Sequence, residues 1–195
     1  MSQIHSADGT AYKSAAAGEY DALGKLLHWS IVALLAVQYA VGWIMPHISA
    51  RTVNESWVSW HLSIGVAILF VMAFRFAWRI FRPVALLPAG PPWQNRVAHG
   101  THVILYLLVI INPVLGWAAA SYRGWSVSLL GIIPLPALAA KGTPWAHTAG
   151  DVHIFLIYVL LGVMALHVAG AFYHHVVMRD RVLLRMLPGR AGTTG

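Results

Sequence analysis

The chain has 195 residues, 58% of them hydrophobic and only 10% charged, with a formal net charge of +7 and no cysteine. That apolar excess, with a mean hydropathy of +0.66, excludes an ordinary soluble globular domain and points to an integral membrane protein. The lack of cysteine excludes disulfides, thiolate ligands and iron–sulfur clusters.

Residues 1–19 are polar and Ala/Gly-rich with no apolar core, so they read as a cytoplasmic tail rather than a cleaved signal. A crossing helix needs about 20 mostly apolar residues, and four stretches qualify: Leu26–Met45, Trp57–Arg79, Val97–Ser121 and Val152–Val177. Together they make one domain, 20–188, with a short tail at 189–195. Between the second and third spans, "RPVALLPAGPPWQNR" (Arg82–Arg96) is a Pro-rich loop. Within the third, Pro113 cannot donate to the carbonyl of Val109, which predicts a kink at Asn112-Pro113. The longest connection, Tyr122–Asp151, has an apolar middle ("VSLLGIIPLPALAA") broken by Pro134 and Pro136 and too short to cross. It is expected to lie along the outer membrane surface and cap the bundle.

Basic residues set the orientation. Lys13, Lys25, Arg75, Arg79, Arg82, Arg96, Arg179, Arg181, Arg185 and Arg190 fall on the side of the termini, against Arg51, Arg123 and Lys141 on the other. The positive-inside rule therefore places both termini in the cytoplasm. Trp43, Trp57, Trp60, Trp117, Trp125 and Trp145 fall near the outer boundary, as an aromatic belt would. The positive charge flanks lipid-length spans, so it reads as a topology signal and not as a nucleic-acid surface. The expected fold is an all-α membrane protein, a four-transmembrane-helix bundle of up-down-up-down topology.

Of 11 histidines, several sit at membrane depth, where an ionisable residue is costly and marks a function. His153 and His167 share the fourth span. Fourteen residues at about 100° each fall about 40° short of four turns and rise about 21 Å, so the two share a face with one near each leaflet. Antiparallel topology sets His61, at the outer start of the second span, level with His153. It likewise sets His28, at the inner start of the first, level with His167. The result is two His–His pairs, one per leaflet. Gly42 lies the same interval beyond His28, and Gly116 beyond His102, both near the outer pair, where a flat macrocycle would need small residues. Arg75 stands at the same interval from His61. It would either face the inner pair and bind a haem propionate or snorkel to the interface. Paired imidazoles favour haem iron, because zinc or copper needs three or four converging ligands.

The remaining histidines divide. His5 and His47 read as surface groups. His102 competes with His28 as an inner ligand. His174 and His175 lie two turns past His167, where they would either anchor the interface or hydrogen-bond a quinone headgroup. His147 stands at the outer mouth near Arg123 and Lys141.

"YDALGKLLHW", "WHLSIG", "RVAHGTHVILYLL" and "GDVHIFLIYVLLGVMALHVAGAFYHH" together resemble the bacterial cytochrome b561 family from Tyr20 to Pro188. The resemblance implies four transmembrane helices in the bacterial inner membrane, two haem b groups and electron exchange with ubiquinone. The family's axial histidines match His28, His61, His153 and His167, and the histidine its members use near quinone matches His174. One activity described in the family is superoxide oxidase. Its relatives also include cytochrome subunits of hydrogenases and formate dehydrogenases.

Three functions follow. In the first, superoxide reduces the outer haem and electrons pass through the inner haem to ubiquinone. In the second, the chain is a membrane-anchor cytochrome subunit relaying electrons between quinone and a partner redox protein. The third, a histidine-lined channel or metal transporter, lacks a polar path, since the spans offer little beyond histidines, Gln38, Ser63 and Asn112. Arg51, Arg123, Lys141 and His147 make the outer loops net basic against Glu55 and Asp151. That field attracts a small anion and favours the first reading.

Overall fold

The computed structural model describes residues 20–49, 51–54, 56–83 and 90–187. The tails expected at 1–19 and 189–195, and residues 84–89 of the Pro-rich loop, lie outside them. Four long helices form the bundle: α1 Ala22–Ile44, α2 Trp57–Phe81, α3 Pro92–Arg123 and α4 Pro144–Val176. Each is long and apolar enough to cross a membrane.

Local chemistry sets the helix ends. Asp21 caps α1 by accepting the Gly24 N–H at 3.0 Å. Pro92 and Pro144 open α3 and α4, where a missing N–H costs nothing. Gly124 closes α3 in the left-handed region, φ 74°, where a side chain would be strained. The helix runs on past Pro113 without interruption.

Helices α3 and α4 begin well before the apolar stretches that locate them in the sequence. In α4 the reason is packing. Ala146 is fully buried and, with Ala149, sits against Ala118 of α3. Hydropathy measures only the part facing lipid, whereas small residues extend the helix pair beyond it. At mid-bundle, Ile31, Ile68, Met72, Leu108, Val109 and Leu160 form a core to which all four helices contribute. Large side chains such as Phe155, Tyr158, Leu166 and Phe172 of α4 point outward and are more than half exposed. This is the pattern expected when hydrocarbon is the solvent.

The connection from α3 to α4 is not irregular. It holds a hairpin, β1 Val127–Leu129 and β2 Ile133–Leu135, in antiparallel register with Val127 opposite Leu135. Leu130 and Gly131 both take positive φ at its turn, as a tight hairpin turn requires. Val127 is buried with Val66 and Ala120, so the hairpin caps one end of the bundle. Ser63 Oγ donates to Ser128 O at 3.0 Å and Asn54 Nδ2 to Ser126 O at 2.8 Å, fastening it to α2 and the chain before it. We call this the hairpin end. The opposite end, with the start of α1 and the finish of α4, is the terminal end.

Candidate functional site

At the hairpin end the rings of His61 (α2) and His153 (α4) stand 6.1 Å apart, centroid to centroid, nearly perpendicular at 87°. At the terminal end His28 (α1) and His167 (α4) stand 6.4 Å apart at 76°. Helix α4 thus supplies one ring to each pair. His102 of α3 lies 5.1 Å from His167, closer than His28.

Backbone and side-chain contacts aim the hairpin-end rings. His153 Nδ1 lies 2.9 Å from the carbonyl oxygen of Asn112. A carbonyl only accepts, so Nδ1 carries the proton and the lone pair remains on Nε2. Gly116 makes this approach possible. A Cβ there would meet His153 Cε1 at 3.1 Å and Nδ1 at 3.3 Å. A Cβ on Gly42 would meet His61 Cε1 at a looser 3.7 Å. Gly116 therefore makes room for an imidazole itself, whereas a methyl at Gly42 would be an ordinary contact. Gln38 Nε2 donates to the His61 backbone carbonyl at 3.0 Å and lies 3.2 Å from His61 Nε2, which must then accept. His61 Nδ1 is buried with no partner. Neither the Gln38 contact nor the Asn112 carbonyl was singled out from sequence.

The pairs fit haem iron, for which Gln38 would yield the His61 Nε2 lone pair and keep its bond to the His61 carbonyl. Two nitrogens at about 2 Å from one metal, with ring centres about 1.1 Å further out, put the centroids about 6 Å apart. The observed 6.1 and 6.4 Å match that spacing, while the 5.1 Å of His102–His167 falls short of it. Among the described residues no three His, Asp or Glu side chains converge on a point, whereas a haem asks the protein for two.

Arg75 lies at the terminal end, within electrostatic reach of His28 and His102, and its Nη1 donates to the Gly24 carbonyl at 2.6 Å. Arg79 stacks over the Tyr20 ring at 5.0 Å and keeps Nη1 buried without a partner. Also at this end, His174 Nδ1 hydrogen-bonds Asp180 Oδ2. Burial pushes the Asp180 carboxyl up, but hydrogen bonds from Val182 N–H and His174, with the charge of Arg185, outweigh it and hold the group below the ordinary carboxylate value. Asp180 was missed from sequence, although it is the lone acid in the basic run "MRDR".

The three outer-loop residues expected to act together divide. Arg123 donates to Ser49 O at 2.8 Å and covers the Trp125 ring at 5.0 Å. The Lys141 stem packs on Gly124 and lines a cavity of about 360 Å³ with Trp117, Ser121 and Trp125. The Trp117 Nε1 is buried without a partner. His147 meets the Tyr122 ring at 5.2 Å and lies 3.6 Å from Asp151, one helical turn on. That carboxylate offsets any charge His147 would bring.

Residues 19–189 match the family described as prokaryotic cytochrome b561. A probable superoxide oxidase, CybB, of Yersinia pestis is 30% identical over 176 residues, covering 89% of this chain and 98% of that protein. Cytochrome b561 homolog 2 of Escherichia coli is 27% identical over 173 residues, 86% and 90% of the two chains. Cytochrome b562 of Cereibacter sphaeroides is 28% identical over 176 residues, 88% and 96%.

Proposed function

The chain belongs to the prokaryotic cytochrome b561 family, and on that premise we propose that it is a di-haem superoxide:ubiquinone oxidoreductase of the bacterial inner membrane. The observation that carries the reading is the presence of two histidine pairs, one at each end of a single bundle, each at the spacing of one bis-imidazole iron. His61 and His153 would hold the outer haem b, and His28 and His167 the inner one. Each haem, when bound, supplies a one-electron carrier of b type.

The balance is two superoxide anions, one ubiquinone and two protons giving two dioxygen molecules and one ubiquinol. The protein's residues attract the anion, keep the pairs in line and deliver protons at the other end. With both termini in the cytoplasm, the hairpin end faces outward. There Lys141 lines the cavity beside Trp125 and Arg123 lies over the Trp125 ring, and a low-dielectric rim would focus their field on an approaching anion. No acid or base is needed at that end, since giving up one electron leaves dioxygen. At the terminal end His174 stands beyond His167 on the same helix, the place where a quinone headgroup would find a hydrogen-bonding partner. Arg75 and Arg79 would balance propionate charge at the inner haem. The name of the Yersinia relative supports the donor, and the shared family supports the carrier.

Stopped-flow reduction of the purified haem protein by superoxide is the test. Fast reduction that slows with added salt, followed by reoxidation with a soluble ubiquinone, is expected. Slow, salt-independent reduction would overturn the oxidase reading in favour of a subunit relaying electrons to a partner redox protein.

A further inference from the structure

The end of α4 closes into a turn that the electron path does not explain. After Val176 the chain reverses within three residues, and Arg179 is forced into the left-handed region at φ 52°. Such a conformation costs a non-glycine residue about 1–2 kcal/mol. Its effect is to bring Asp180 back against His174. The Asp180 N–H donates to the His174 carbonyl at 3.1 Å, Oδ1 accepts the Val182 N–H at 2.9 Å, and Oδ2 accepts from His174 Nδ1. Both side chains are largely enclosed, with 15% and 27% of their surfaces exposed. The groups facing the pair are the Tyr173 ring, at 6.0 Å from His174, and the charge of Arg185 near Asp180.

We infer that Asp180 is the positioning residue of a proton-delivering His174–Asp180 dyad at the terminal end, serving quinone reduction there. The inference rests on the proposed quinone site and adds to it the means by which protons arrive. An ionised carboxylate can only accept, so it holds the proton of neutral His174 on Nδ1 and leaves Nε2 as the reactive nitrogen. Reducing one quinone to quinol takes two electrons, arriving singly from the haem side, and two protons. For each proton, the Nε2–H bond of His174 in its imidazolium form breaks and an O–H bond forms on the reduced quinone oxygen. His174 is left neutral and is recharged from water at the membrane surface. Asp180 stays ionised throughout, so its charge supports the imidazolium without taking the proton itself. The strained turn at Arg179 is then the cost of holding a carboxylate behind a histidine at the end of a helix.

The test uses the full haem-loaded protein in detergent with a soluble ubiquinone. His174→Ala, Asp180→Asn and Asp180→Glu are each compared with the parent. Asn keeps the size of Asp180 and one oxygen acceptor, but it removes the charge and puts an NH₂, which cannot accept, in place of the other oxygen. Asp180→Asn should leave both haem spectra and dithionite reduction intact, slow haem reoxidation by quinone about tenfold and displace its pH profile. Asp180→Glu should restore part of the rate. A further readout is the solvent deuterium isotope effect on reoxidation, which should grow in Asp180→Asn as proton transfer becomes limiting. If His174→Ala slows reoxidation but Asp180→Asn reproduces the parent's rate and pH profile, the dyad is merely a helix cap and the inference fails. If His174→Ala itself leaves reoxidation unchanged, the quinone site lies elsewhere and the underlying reading fails with it.

Discussion

Replacing Gly116 with alanine tests whether the close packing at the hairpin-end pair is functional. The added methyl would lie 3.1 Å from His153 Cε1 and 3.3 Å from Nδ1, against a comfortable carbon–carbon separation of about 3.5–4.0 Å. The ring must retreat by about 0.4 Å. Its bond to the Asn112 carbonyl, now 2.9 Å, would stretch to about 3.3 Å, near the limit of a useful hydrogen bond. Overpacking of this kind costs about 1–3 kcal/mol and the weakened bond about 1 kcal/mol more. The sum, about 2–4 kcal/mol, corresponds to a loss of about thirty- to seven-hundredfold in affinity for the haem held there. Gly42→Ala is the control, since its methyl would rest at 3.7 Å from His61, an ordinary contact. The assay is haem-to-protein ratio on purified protein, with a redox titration to separate the two haems. Gly116→Ala should lose or shift one haem only, and Gly42→Ala neither. Equal haem content and unchanged potentials in both variants would refute the argument that His153 is held by this contact.

His153→Ala and His167→Ala should each remove one haem and leave the other, while His102→Ala should retain both; loss of a haem from His102→Ala would reassign the inner pair. Arg179→Gly relieves the φ of 52° at that position. A gain of up to about 1 kcal/mol is expected, less than the strain because glycine also frees the unfolded chain; a lower melting temperature would count against strain. Changing both Arg123 and Lys141 to Glu should slow haem reduction by superoxide and reverse its salt dependence, whereas His147→Gln should act weakly because Asp151 already offsets that residue. Asp180 has a lowered carboxyl pKa in the folded state, so its contribution to the terminal turn is full above the ordinary carboxylate range and lost as the pH falls through the folded value. Hydrogen exchange at the Val182 amide should show protection at neutral pH that falls away in acid, and parent protection that persisted unchanged in acid would contradict the linkage.

The parts of the fold legible in the sequence are those in which one periodicity governs. Apolar length located four spans because lipid imposes it. The helical repeat brought His153 and His167 onto one face, and antiparallel order set His61 and His28 beside them. Gly42 and Gly116 follow from the same repeat. Backbone groups carry no such signature. Nothing in the residue type of Asn112 shows that its carbonyl meets His153, since the opening depends on Gly116 four residues on. Asp180 escaped because a left-handed arginine brings it home, and arginine gives no warning of that conformation. His147 and Asp151 were weighed as opposite charges of a loop, whereas α4 begins at Pro144 and their spacing of four residues places both on one helix face. The hairpin was hidden because two three-residue strands in an apolar loop look like a surface segment broken by prolines.

The single helix that carries both His153 and His167 behaves as a camshaft. Any length change between the two rings is also a rotation: one inserted residue turns one ring by about 100° relative to the other and lifts it by about 1.5 Å. Four added residues would bring the rings back onto one face, since 18 at about 100° each make about five full turns, but only by moving them about 6 Å further apart. The distance between the two sites can therefore change only in coarse steps. Intermediate gaps are mechanically forbidden, and so the interval an electron must cross is locked by the pitch of one helix.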